Sequence, residues 1–257
     1  MDRTDQQVLR QAIAWAKAGQ PVALTTVAHT WGSAPRPVGA MAAVCGDGQL
    51  IGSISGGCIE DDLIERARAR SLFTLAPQRL TYGVHAEEAT RFGLPCGGTV
   101  VLIVETVSAQ SQLEALMRRI NAGLKTTRRL DLKTGQATLS DTDGADSFIL
   151  TDDALVHVLG PPWRLLLIGA GQLSHYLAHM AVACDYAVSI CDPRPEITAT
   201  WAVPQTSVLH GMPDDVVVAM QPDQATAIVA LTHDPKLDDL ALMEALKSDA
   251  FYVGAIG

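Results

Sequence analysis

The run Leu165-Leu166-Leu167-Ile168, ending in Gly169-Ala170-Gly171, constrains this chain more than any other stretch. An apolar run of strand length that stops at glycines suits a buried strand entering a tight turn. Residues 172–184 follow at helical spacing, 187–191 return to strand-like sequence, and Asp192-Pro193-Arg194-Pro195 breaks the pattern again. Further strands are expected at 206–209, 226–232 and 251–254, with helices at 214–220 and 237–247 between them. Strands that alternate with helices in this way build a parallel sheet with helical crossovers. The second half of the chain therefore reads as α/β and Rossmann-like.

Gly169-Ala170-Gly171-Gln172-Leu173-Ser174 follows the dinucleotide-binding fingerprint except at Ser174, which stands where the last glycine belongs. Asp192 lies about 20 residues further on, at the end of the next strand, the place of a ribose-binding acid. Two roles stay open for it, ribose recognition and capping of the turn at Pro193. Arg194 suits a phosphate equally well. His175 and His179 share a helix face at metal-ligand spacing, yet no third candidate lies near, and packed or solvated histidines fit better. Thr232-His233-Asp234-Pro235 falls at the C-terminal end of a predicted parallel strand, where such sheets place their sites. His233 is the better functional candidate, against an ordinary strand-to-helix turn in which Asp234 caps the next helix.

The first half reads differently. Residues 5–18 form a predicted helix stopped by Gly19, 21–30 a strand, and 38–54 a hairpin turning at Gly46-Asp47-Gly48. Between strand and hairpin, prolines flank Arg36 and hold the loop extended; its guanidinium is either aimed at an anion or simply solvated. The hairpin runs into Gly52-Ser53-Ile54-Ser55-Gly56-Gly57-Cys58-Ile59-Glu60, and helical spacing begins at Ile59. Gly56 and Gly57 permit backbone angles at which amides converge on a ligand. Cys58 then falls at the helix N-terminus, where the dipole favours a thiolate or a bound anion. The same cysteine also suits a small buried position beside a turn.

A second glycine-flanked cysteine, in Gly93-Leu94-Pro95-Cys96-Gly97-Gly98, precedes the strand at 100–104. Two such loops suggest one cleft lined by Cys58, Cys96 and free amides; glycines that merely turn the chain are the alternative. A strand at 79–84, a polar loop at 85–94, a helix at 108–122, a strand pair at 128–139, an acidic loop at 140–147 and strand-like sequence at 148–158 complete this half. Gly160-Pro161-Pro162 is the best domain boundary. Three parts follow: an N-terminal α/β domain at 1–107, a connecting helix and strand-rich segment at 108–162, and the Rossmann-like domain at 163–257.

With 257 residues, 48% apolar and 5% aromatic, the chain can bury a core of Ala, Val and Leu. Its 19 basic and 28 acidic residues leave a net charge of −9, which argues against nucleic acid or an anionic membrane surface as partner. Residues 165–184 carry no Asp, Glu, Lys or Arg, but the glycine break and Gln172, Ser174 and Tyr176 fit a strand, turn and helix better than a bilayer crossing. Five cysteines are an odd number with no visible disulfide framework, and the polar Met1-Asp2-Arg3-Thr4-Asp5 leads into no apolar signal core. A reducing cytoplasm fits both.

In combination the motifs resemble the XdhC/CoxI family, accessory factors of xanthine dehydrogenase and related molybdenum hydroxylases. The likeness is carried by Gly32-Ser33-Ala34-Pro35-Arg36, by Gly52 to Glu60 and by Leu94-Pro95-Cys96-Gly97-Gly98. It continues in Gly169-Ala170-Gly171, Cys191-Asp192-Pro193-Arg194, Leu231 to Asp238 and Tyr252 to Gly257. The resemblance implies an N-terminal domain followed by a Rossmann-like one. It also implies a chaperone without turnover of its own, which protects the molybdenum cofactor, aids its sulfuration and inserts it into the apo-hydroxylase.

On that resemblance Cys58 and Cys96 contact the metal–sulfur end of the cofactor, molybdopterin or its dinucleotide form, as soft ligands suit a soft centre. Ser55, Gly56, Gly57, Gly97 and Gly98 offer backbone, and Arg36 meets the phosphate. Gly169, Gly171, Asp192, Arg194 and His233 hold a nucleotide or pterin portion. The implied partners are a xanthine dehydrogenase-type hydroxylase, a cysteine desulfurase and a second copy of the chain. Two departures stand out. Ser174 speaks against NAD(P), the cofactor of the rival reading, an oxidoreductase with His233 as proton donor. The chain also stops directly after a strand, where the family continues with a basic segment and further helices, so a truncated chain, cover borrowed from a partner subunit or a diverged member is expected.

Overall fold

Val-, Ala- and Ile-rich runs in the first half are separated by glycine turns, and such runs pair with their neighbours as antiparallel strands. The structure, a computed structural model, describes residues 3–32, 36–83, 98–142 and 148–256. The chain divides into two compact units, Arg3–Pro161 and Pro162–Gly257.

In the first unit, β1 (Val22–Trp31), β2 (Met41–Cys45), β3 (Leu50–Gly52), β4 (Gln78–Tyr82) and β5 (Thr99–Thr106) form an antiparallel sheet in the order β3-β2-β1-β5-β4. Alternation along the strands decides what each face meets. Val100, Leu102 and Val104 pack with Ile59, Leu63 and Ala67 of helix α2 (Cys58–Arg68), whereas Leu24, Met41 and Ala43 pack with Val8 and Leu9 of α1 (Arg3–Lys17). Residues 108–162 form α3 (Leu113–Asn121) and a second antiparallel sheet, β7-β6-β9-β8, from β6 (Thr126–Asp131), β7 (Ala137–Asp141), β8 (Phe148–Leu150) and β9 (Ala154–Leu159). Ile103 of the first sheet shares a core with Leu130 and Leu155 of the second.

The helix expected over 108–122 is interrupted. Ser108 caps a single 3-10 turn at Ala109–Ser111, Gln112 takes a left-handed φ of 55°, and only then does α3 begin. A hydroxyl that accepts the Gln110 amide competes with helix continuation, which is why serine favours starts over interiors.

In the second unit, β10 (Arg164–Ile168), β11 (Ala187–Cys191), β12 (Thr206–Leu209), β13 (Thr226–Ala230) and β14 (Tyr252–Ala255) form a wholly parallel sheet, β12-β11-β10-β13-β14. Leu165 and Leu167 face one core, with Ala178 and Ala181 of α4 (Gln172–Ala183). Leu166 and Ile168 face the other, with Val216 and Val217 of α6 (Pro213–Met220) and Ala241 of α7 (Pro235–Ala245). Each of those strand residues is almost fully buried, a contribution of roughly 1.5–3 kcal/mol apiece. A short helix, α5 (Pro195–Thr198), was not expected from the sequence; Pro195 opens it with a preset φ. The strand expected to reach Thr232 ends at Ala230, where the chain turns towards α7. No helix among the described residues is long and apolar enough to cross a membrane.

Candidate functional site

The Gly52–Glu60 turn links β3 to α2, and Cys58 is the first residue of that helix. Gly56 (φ 84°) and Gly57 (φ 149°) hold left-handed angles that side chains avoid. Both are exposed, and a side chain built at either would meet nothing within 4 Å, so a ligand has open access to the backbone.

The amides of this turn do not point at an empty cradle. Glu60 Oε1 accepts from the amides of Ile54 (2.9 Å), Ser55 (2.9 Å) and Gly56 (3.1 Å) and from the Ser53 hydroxyl (3.1 Å). Its Oε2 accepts from the Gly57 amide at 3.0 Å and from the Ser55 hydroxyl. Burial works to raise the Glu60 pKa, but the hydrogen bonds from Ser55 and Ile54 outweigh it and bring the carboxyl down to about 2. Sequence reasoning did not single out Glu60. The signal was there: a Glu three residues after the helix N-cap, Gly57, is the spacing at which a side chain reaches back to the N-cap amide.

The remaining candidates of this unit are less complete. Arg36 is half-buried in the turn before β2, where the Gly39 amide donates to the Val27 carbonyl at 2.8 Å. Gly98 is buried and leads into β5. Cys96, Gly97 and the side chain of Cys58 lie outside the described residues, and the expected thiol cleft lies outside them too. A groove of about 830 Å3 on this unit, lined by Ile13, Lys17, Gln20, Arg70, Ser108 and Arg118 among others, includes none of the predicted site residues.

In the second unit three loops leave the carboxyl ends of the adjacent strands β11, β10 and β13. The chain builds outwards from β10 through β11 to β12, then resumes on its other side with β13, so the switch point lies between β10 and β13. At Gly169 (φ 100°) a side chain would fall 2.7 Å from Thr232 Cγ2, which is why only glycine fits. Gly171 is the exposed N-cap of α4, with open space around it and no side-chain cap, so first-turn amides remain as donors.

Asp192 follows directly on β11 beside that turn, but its carboxylate is turned inward and its side chain is 0% exposed. Its Oδ2 accepts from the Ala170 amide (2.9 Å) and Arg194 Nη2 (2.8 Å), its Oδ1 from Arg194 Nε (2.8 Å) and the Arg194 amide (3.1 Å). Burial pushes its pKa up, yet Arg194 and the amides win and hold it below the usual carboxylate range. What Asp192 offers solvent is the partly exposed guanidinium it orients. Ser174, at the third fingerprint position, is buried and donates to the Gly169 carbonyl at 2.5 Å.

His233 is exposed at a left-handed φ of 60°. Its amide donates to Asp238 Oδ2 at 3.0 Å, while Asp238 Oδ1 accepts the Thr232 hydroxyl at 2.7 Å. Asp234 caps α7 by accepting the Lys236 amide at 3.0 Å. His175 stacks against Trp201 with ring centroids 4.3 Å apart. No group of three or more His, Cys, Asp or Glu among the described residues could hold a metal.

An antiparallel-sheet unit with a glycine–cysteine turn, followed by a Rossmann-like unit whose fingerprint is closed by serine, defines a two-unit protein class. The chain belongs to the XdhC and CoxI family: the family model of that name matches residues 15–83, and the XdhC Rossmann domain matches residues 165–257. The molybdenum cofactor insertion chaperone PaoD of Escherichia coli (strain K12) is 25% identical over 252 residues, spanning 97% of this chain and 71% of that one. A probable xanthine dehydrogenase subunit of Bacillus subtilis (strain 168) is 23% identical over 260 residues, spanning 91% and 78%. A crystal structure of a xanthine dehydrogenase from Bacillus halodurans shares the fold, with a TM-score of 0.78 at 21% identity over 97% of this chain and 81% of that one.

Proposed function

We propose that this chain binds the molybdenum cofactor, protects it and inserts it into a xanthine dehydrogenase-type hydroxylase, with no turnover of its own. The observation that carries the reading is the span of the likeness to the insertion chaperone, 97% of this chain and thus both units. In this reading the cofactor is cargo. Cys58 and Cys96 take its metal–sulfur end as soft ligands. Ser55, Gly56, Gly57 and Gly97 supply a backbone surface that a flat ligand can approach, while the buried Gly98 joins that loop to β5 without meeting the ligand. Arg36 answers the phosphate. Gly169, Gly171, Arg194 and His233 hold the pterin or nucleotide portion, with Asp192 orienting Arg194 from behind. Sulfuration of the cargo with sulfur from a cysteine desulfurase, a homodimeric state and a cytoplasmic setting belong to the same proposal.

Serine in place of glycine at 174 and the inward-facing Asp192 disfavour the nicotinamide oxidoreductase, since a ribose diol needs an acid with free oxygens. The test is reconstitution. Protein purified from cofactor-producing cells should carry molybdenum cofactor stoichiometrically and activate a cofactor-free hydroxylase in vitro. Cys58→Ser should impair both, because a hydroxyl is a poor ligand for a soft centre. Robust nicotinamide-dependent turnover that survives loss of Cys58 and Cys96, with no cofactor retained, would sink the chaperone reading.

A further inference from the structure

The turn bearing Gly56, Gly57 and Cys58 is tied together from within by Glu60. Four consecutive amides, Ile54 to Gly57, and two serine hydroxyls all donate to its carboxylate. Glu60 is itself only 8% exposed. Two oxygens accepting six donors are saturated, so this carboxylate has no capacity left for a ligand or metal. The amides it collects are equally spent, which removes them as a cradle for a phosphate. What the arrangement does fix is the backbone of Cys58, lying between Gly57, whose amide is pinned, and Glu60, which pins it. The helix starts there with the Asp61 amide donating to the Gly57 carbonyl at 3.2 Å.

We propose that Glu60 is the positioning residue of the cofactor site, acting through Cys58 without touching the ligand. This rests on the reading that Cys58 contacts the cofactor. Glu60→Gln is a sharp probe, because an amide keeps one acceptor oxygen and sets a donor against the Gly57 amide, which cannot accept. Glu60→Asp keeps the charge on a stem one methylene shorter and gives a milder version of the same defect.

The experiment uses the full chain as wild type, Glu60→Gln, Glu60→Asp, Cys58→Ser and the double variant Glu60→Gln/Cys58→Ser. Affinity for isolated molybdenum cofactor is measured for each. Separately, with no cofactor present, the rate of Cys58 alkylation by iodoacetamide is read on its own peptide by mass spectrometry. Glu60→Gln should weaken cofactor binding by about tenfold or more, the usual effect of removing a supporting residue. It should also change the Cys58 alkylation rate, and it should cost nothing further once Cys58 is already serine. Additive losses in the double variant, or an unchanged alkylation rate, would overturn the proposal that Glu60 acts through Cys58. Full affinity in Cys58→Ser, beside altered alkylation in Glu60→Gln, would remove Cys58 from the cofactor and leave its placement by Glu60 supported. Where thermal melting shows that Glu60→Gln does not fold, Glu60→Asp carries the same cycle.

Discussion

At the scale of residues, Glu60 and Asp192 share one electrostatic design: a buried carboxylate kept ionised by loop donors, all from its own turn for Glu60 and from Arg194 and the neighbouring Ala170 amide for Asp192. Both titrate below their ordinary values in the folded chain, Glu60 at about 2. A depressed acid stabilises the fold above its unfolded pKa and loses that contribution as pH falls through the folded one. For Glu60 the window runs from the usual glutamate range down to about 2, and the contribution is about 3 kcal/mol as an upper bound. Urea unfolding should therefore show Glu60→Gln well below wild type at neutral pH, with the gap narrowing in acid; a gap constant with pH would contradict the assignment. The place of Asp192 was legible from its spacing to the glycines. Its orientation was not, because whether an acid faces a ligand or its own chain is decided by the backbone between Asp192 and Arg194. Glu60 was hidden for another reason: an acid in the first helical turn is ordinary dipole compensation until its partners are known.

At the scale of elements, β5 and β6 belong to different sheets of the first unit and are joined by a buried ion pair. Arg128 Nη2 lies 2.7 Å from Glu105 Oε2, with side chains 7% and 4% exposed, and the guanidinium also donates to the Ser111 carbonyl at 3.0 and 3.2 Å. One arginine thus ties both sheets to the 3-10 turn that precedes α3. Removing one partner strands a buried charge, so Arg128→Met or Glu105→Leu alone should cost about 3–5 kcal/mol. Together they should cost less than the sum, as read by urea unfolding of the double variant. The strands themselves were legible from alternation and turn residues. The pair was not, since a lone Glu at the end of an apolar strand and the first of two adjacent arginines two dozen residues on resemble solvated charges. Nor was the kink at Gln112, which no glycine announces.

At the scale of the molecule, each unit owns its core, the first built around Ile59, Leu63 and Leu116, the second around Leu166, Leu167 and Ile190. Units with separate cores respond separately to damage. Leu166→Ala, at a fully buried position, should cost about 2–5 kcal/mol and lower only the calorimetric transition belonging to the second unit. A uniform shift of all unfolding would show that the two cores fold as one. Alternating strands and helices made the parallel sheet legible. The strand order did not follow, because the same alternation serves several windings and only packing selects β10 as the centre. Three carboxylates, Glu60, Asp192 and Asp238, fasten loops across both units. Those loops are ordered by folding itself, so a ligand meeting them costs the chain little conformational entropy on arrival. Contacts at those three loops should then contribute a heat-capacity change set by the area the ligand covers there, as read by calorimetry at several temperatures.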